Sequence, residues 1–244
     1  MKPIFVSILF LSTTLFAQVE IPAGTILPAQ LESSLNSRKS KPGQRVSARI
    51  VQDVPLPSGK KIRAGAKIEG HVEAVKAASA GQGAQITLCF DQLKFSHRNI
   101  RLTTSLRALA SMMDVADAQV PATGPDRGTP WTWNNRTLIG GEVAYGEGGP
   151  VERGTQRVGR ALVNGVLSPT RANPERGCPG EAGDGTRAQA LWVFSSDACG
   201  VYGLEDVQVN HAGRMPPIGE ITLNAKQGDF NVRSGSGLLL QVLA

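Results

Sequence analysis

The sequence predicts an all-β protein: a small closed or nearly closed β-barrel with a long irregular insertion and one short helix. Three observations predict it. A short unit recurs at residues 21–31, 62–72 and 232–242, each copy having an aliphatic start, Gly at the fourth position between two small residues, and aliphatics at the seventh and eleventh. Gly24, Gly65 and Gly235 supply the positive φ that a tight turn or bulge needs, and the apolar residues behind them recur on alternate positions, as on one face of a strand. Between residues 46 and 106, alternating segments follow one another at the close spacing of a barrel or sandwich. Finally, 28 Gly and 15 Pro among 244 residues exceed average usage, which favours turns and disfavours a helical architecture.

In chain order, Lys2 precedes an apolar run over residues 4–16, and Leu15-Phe16-Ala17 ends on the small residue a signal peptidase prefers. Residues 1–17 are therefore expected to be a signal peptide, cleaved before Gln18, and the protein to be periplasmic or secreted. The run is shorter than the roughly 20 residues of a membrane span, so no transmembrane span is expected after cleavage. The first repeat leads through a basic turn and Pro42-Gly43 to Val46, Ala48 and Ile50, which read as one buried strand face. After the second repeat, Ile68, Gly70, Val72 and Ala74 are expected inward, with Lys67, Glu69, His71 and Glu73 in solvent. Ile86, Leu88 and Phe90, then Ile100, Leu102, Thr104 and Leu106, continue the pattern.

Over residues 105–120 the apolar residues Leu106, Leu109, Met113, Ala116 and Val120 recur at three and four, which predicts the helix. Residues 121–190 are rich in Gly, Pro, Asn and Arg. The barrel domain is assigned to residues 18–106 and 190–244, with 107–189 as the inserted region. Residues 190–194 read as a dense apolar strand. The last residues, 238–243, are too apolar to lie free and are expected to form a central strand near the first repeat, closing the sheet.

Three cysteines in an exported chain predict one bridge and one spare. Cys178 and Cys199 flank a Gly-rich loop and are expected to pair, closing a loop of about 20 residues worth about 3 kcal/mol. Cys89, inside a strand-like segment, is expected to be a small buried hydrophobe. The net charge of +6 comes from scattered basic residues, so it reads as a mildly basic solvated surface and no nucleic-acid partner is expected.

The spacing of Ile21-Pro-Ala-Gly-Thr25, Pro42-Gly-Gln-Arg-Val46, the approach from Pro57 to Gly65 and Arg233-Ser-Gly-Ser-Gly-Leu238 resembles the C-terminal β-barrel domain of the TrbI family. Members of that family are periplasmic scaffold components of conjugative, or type IV, secretion channels. The pattern is also similar to a group of exported acidobacterial proteins, through the stretch from Leu191 to Gly203. The resemblance covers about residues 20–106 and 190–244, and it rests on turn and strand signals, so it implies a fold more than a role. The family scaffolds carry a cytoplasmic tail, a membrane span and a proline-rich arm before the barrel. Here the barrel pattern is expected to follow the signal directly.

Candidate chemistry is sparse. Ser195 or Ser196 with Asp197 and His211 contains the residue types of a nucleophilic triad, without the Gly-x-Ser-x-Gly elbow. Cys199 beside His211 is a second nucleophile arrangement, in competition with the bridge. His71, His97 and His211 show no metal-ligand spacing, so no metal site is expected. Residues 140–149 are Gly-rich but lack the Lys-Ser/Thr of a phosphate loop, and Asn135-Arg-Thr137 is a glycosylation sequon of a kind that occurs by chance. Trp131 and Trp133, two apart and followed by Arg136, are the candidate binding residues, since two indoles on one strand face stack on sugars or dock a partner. The expectation is a non-catalytic structural or binding protein of the cell envelope without a cofactor. Its partner would be an envelope protein or a cell-wall polymer, with oligomerisation left open. The alternatives are an exported hydrolase using residues 195–211 and a carbohydrate- or peptidoglycan-binding module.

Overall fold

The computed structural model describes residues 21–95, 98–119, 150–153, 156–160, 190–195 and 198–243. All three repeats fold as the same turn. Gly24, Gly65 and Gly235 have φ of 87°, 92° and 93°. The following N–H donates back across each turn, Thr25 to the Pro22 carbonyl, Ala66 to that of Arg63 and Ser236 to that of Arg233, at 3.2, 3.1 and 3.2 Å. Positive φ at the third residue with this bond defines a type II turn, a conformation in which Gly is favoured. Each glycine N–H then donates to the last residue of a neighbouring strand: Gly24 to Val242 at 2.8 Å, Gly65 to Ile50 at 2.7 Å and Gly235 to Leu31 at 2.7 Å. The same strand-end residues donate in return to the carbonyls of Thr25, Ala66 and Ser236. Every repeat therefore opens its own strand and clamps the end of the next one.

The strands in chain order are β1 (Ile26–Leu31), β2 (Leu35–Asn36), β3 (Arg45–Ile50), β4 (Val54–Pro55), β5 (Lys61–Ile62), β6 (Lys67–Lys76), β7 (Gln85–Phe95), β8 (Arg98–Arg101) and β9 (Thr104–Ala110). After α1 (Met112–Gln119) come β10 (Pro150–Arg153), β11 (Gln156–Arg160), β12 (Ala190–Leu191), β13 (Phe194–Ser195) and β14 (Gly200–Tyr202). β15 (Val207–Asn210), β16 (Ile221–Ala225), β17 (Asn231–Val232) and β18 (Gly237–Val242) complete the series. The main sheet runs β14-β9-β18-β1-β3-β6-β7-β16-β15, and β8 pairs with the far half of β7. Its two ends, β14 and β15, are consecutive in the chain, so the sheet curls into a nearly closed barrel. All neighbours along it are antiparallel except β14 and β9. As the sequence predicts, the third repeat supplies a central strand: β18 lies between β1 and β9, with Leu27 opposite Leu240 and Leu238 opposite Leu109.

The barrel is filled. Leu27, Leu31, Val46, Ile50, Ile68 and Val72 point inward with their counterparts from β7, β9, β16 and β18 and form one apolar core. The void left among Leu31, Phe90, Leu106, Ile221 and Leu238 is about 10 Å³, barely the space of one water, and is lined wholly by carbon side chains. Small barrels are packed this way, with side chains occupying the lumen. A second cluster covers the outside of one wall. Ile26, Ala108, Ala110 and Leu239 turn outward there and meet Val115, Leu191, Trp192, Val193, Phe194 and Tyr202. Trp192 and Phe194 stack edge to face with centroids 6.4 Å apart, and Phe194 contacts Tyr202 at 6.1 Å. Among the described residues no helix is long and apolar enough to cross a membrane.

The expected helix over residues 105–120 is split: residues up to Ala110 belong to β9 and only Met112–Gln119 is helical. All seven residues of β9 are buried, because the barrel core lies on one face and the outer cluster on the other. A strand buried on both faces loses its period of two, and its apolar residues then mimic a helical stripe. Residues 190–195 form a tight hairpin, β12 to β13, turned by Trp192 at φ 56°, and serve as the outer cover rather than as a barrel stave. Ala74 is exposed rather than inward, since the register with β7 slips between Val72 and Ala74. The proposed signal peptide, residues 1–17, and most of the inserted region lie outside the described residues.

Candidate functional site

Among the described residues, the convergence of metal-ligating groups is on the outer face of the β6–β7 hairpin: His71, Glu73 and Cys89. The hairpin places them by register. His71 is the cross-strand partner of Cys89, between the pairs Gly70–Phe90 and Val72–Leu88, of which Phe90, Val72 and Leu88 point their side chains into the core. One extra residue interrupts the ladder on either side. Asp91 is unpaired with β6, lying on β7 between the partners of Glu69 and Gly70, and Glu73 is unpaired on β6 between the partners of Leu88 and Thr87. Such bulges bend a strand and re-aim a side chain. Gly70 permits the close approach of the strands, because a Cβ there would sit 1.7 Å from the Cys89 carbonyl oxygen.

The side-chain distances are short. Cys89 Sγ lies 3.3 Å from His71 Nδ1 and 3.9 Å from Nε2. His71 Nε2 is 2.8 Å from Glu73 Oε1, and the Cys89 thiol donates to the same oxygen at 3.5 Å. His71 and Glu73 are about 40% exposed, so the group is open to solvent. Burial pushes the Cys89 thiol up to about 12, with a hydrogen bond to His71 opposing the rise and the charges of Asp91 and Glu73 adding to it. At neutral pH Cys89 is therefore a protonated thiol and a poor nucleophile, because the thiolate is the reactive form.

This corrects the expectation that Cys89 is a buried hydrophobe: it is half-buried, outward-facing and hydrogen-bonded. It is a free cysteine. The histidine spacing along the chain carried no hint of a metal site, since two of the three donors meet only through strand pairing. A signal was nevertheless present. Ile86, Leu88 and Phe90 alternate inward, which sends Cys89 to the face that His71 and Glu73 already occupy.

Of the other candidate residues, Cys199 and His211 are described and are not part of this group. Trp131, Trp133, Arg136, Cys178, His97, Ser196 and Asp197 lie outside the described residues, so the Trp face, the Cys178–Cys199 bridge and the Ser-Asp-His arrangement stay expectations. Ser195 closes β13. His211 starts a single 3-10 turn with φ 36°, and its Nδ1 is buried without a hydrogen-bond partner among the described residues. That turn packs against β9 and β16. Comparison of the chain with protein-family models and with curated proteins gives no match.

Proposed function

We propose that this protein is an exported, non-catalytic structural or binding component of the cell envelope, built on a TrbI-like barrel. The observation that supports this reading most is the filled lumen. Among the described residues, the apolar void between the core side chains is only about 10 Å³, so the lumen they enclose is packed with side chains. Whatever it engages, it engages with its outer surface. Three clamped turns and a doubly packed wall give that surface a rigid support. The partner in this reading is an envelope protein or a cell-wall polymer, met through the inserted region with Trp131, Trp133 and Arg136.

Fractionation of cells expressing the full chain tests the reading. The expected result is a mature N-terminus at Gln18 in the envelope or periplasmic fraction, with retention on purified cell-wall sacculi or crosslinking to an envelope protein that Trp131→Ala with Trp133→Ala abolishes. An uncleaved chain confined to the cytoplasm would overturn it. Fluorophosphonate labelling that disappears in Ser195→Ala or Ser196→Ala would replace it with the hydrolase reading.

A further inference from the structure

We propose that His71, Glu73 and Cys89 form a three-ligand site for a thiophilic divalent cation of the zinc class, with the fourth coordination position open to solvent. The donor set is the first argument. Thiolate, imidazole and carboxylate together suit zinc or cobalt, whereas magnesium and calcium take oxygen ligands. Geometry is the second. Tetrahedral coordination at about 2.3 Å to sulfur and about 2.0 Å to nitrogen or oxygen separates the ligand atoms by about 3.3–3.6 Å. The triangle of Cys89 Sγ, His71 Nε2 and Glu73 Oε1 has edges of 3.9, 2.8 and 3.5 Å. Displacements of about half an ångström, within reach of side-chain rotation, bring all three to that spacing.

The backbone is the third argument. His71 and Cys89 are held by direct strand pairing, and Glu73 by the bulge beside them, so the ligands are placed by a paired sheet rather than by a loop. The two neighbours on the inward side, Val72 and Leu88, are core residues and anchor the hairpin. On binding, the Cys89 proton passes to solvent and sulfur bonds the cation as thiolate, while the Nε2 proton of His71 is exchanged through solvent to Nδ1, so that Nε2 and Glu73 Oε1 trade their hydrogen bond for two metal bonds. Three protein ligands with a free position is the pattern of a site that exchanges ligands, so a water or a donor from a partner would complete it.

Cobalt(II) titration of the purified full chain tests the site directly. The expected result is a thiolate-to-cobalt absorption band that saturates at one equivalent, is displaced by zinc, and is lost in Cys89→Ser and in His71→Ala. Glu73→Gln, which replaces an anionic ligand with a neutral amide, is expected to weaken binding by at least as much as loss of a partner outside the coordination shell, about 10–100-fold. One equivalent of zinc should also raise the melting temperature of the wild type but not of Cys89→Ser, whose side chain is not part of the core and whose barrel is expected to remain folded by circular dichroism. A band that never forms, or one that persists in Cys89→Ser, overturns the proposal. So does unchanged alkylation of Cys89 by iodoacetamide at saturating zinc, the result expected of a simple hydrogen-bonded thiol.

Discussion

At Cys89, burial of the sulfur and the charges of Asp91 and Glu73 act in the same direction, keeping the proton on. The folded thiol ionises near 12, whereas an unfolded cysteine does so near 8.5. On raising the pH the unfolded state therefore loses its proton first, and the folded state loses stability from about pH 9 upward. Iodoacetamide alkylation of Cys89, followed by peptide mass mapping without added metal, is predicted to keep accelerating beyond about pH 10. Glu73→Gln, which removes a charge that disfavours the thiolate, should move the rise to lower pH. A rate that levels off near pH 9 in the wild type would contradict the assignment.

The strand grammar of β3 and of the first halves of β6 and β7 was legible, since Val46, Ala48, Ile50, Ile68, Val72, Ile86 and Leu88 are all buried as alternation requires. It failed where the ladder gains a residue. After Asp91 the inward set jumps from Phe90 to Leu93, and after Glu73 Ala74 turns to solvent, yet neither bulge is announced by its own residue type. The cluster stayed hidden for a related reason, because the pairing of His71 with Cys89 is set by register across a long hairpin. Two glycines of β6 and its turn separate the kinds of backbone demand involved. Gly65→Ala meets no atom within 4 Å and suffers only from its φ of 92°, so about 1–2 kcal/mol is expected. Gly70→Ala collides with the Cys89 backbone and should cost well over about 3 kcal/mol or prevent folding. Urea unfolding of the two variants checks the order, and equal losses would refute it.

Across the whole barrel, the first and last strands among the described residues are joined. β18 is wedged between β1 and β9, pairing on both sides, and its end at Val242 is clamped by the first repeat. The sequence made this closure readable, because residues 238–243 are too apolar for an edge. The outer cover was not readable, since nothing in the apolar residues 190–194 says which face of the wall they protect. Removing residues 237–244 is predicted to leave β1 and β9 with bare edges and an open core, giving a chain without cooperative thermal unfolding. A soluble, cooperatively melting truncation would disprove this. The position of β18 also bears on time. It emerges from the ribosome after every other strand of the sheet, and the pairings that finish the barrel span most of the chain. Such long-range closure is slow, so a growing or partly made chain stays open. Synthesis itself thus delays folding, and only a chain that has been translated through Val242 can lock its shape.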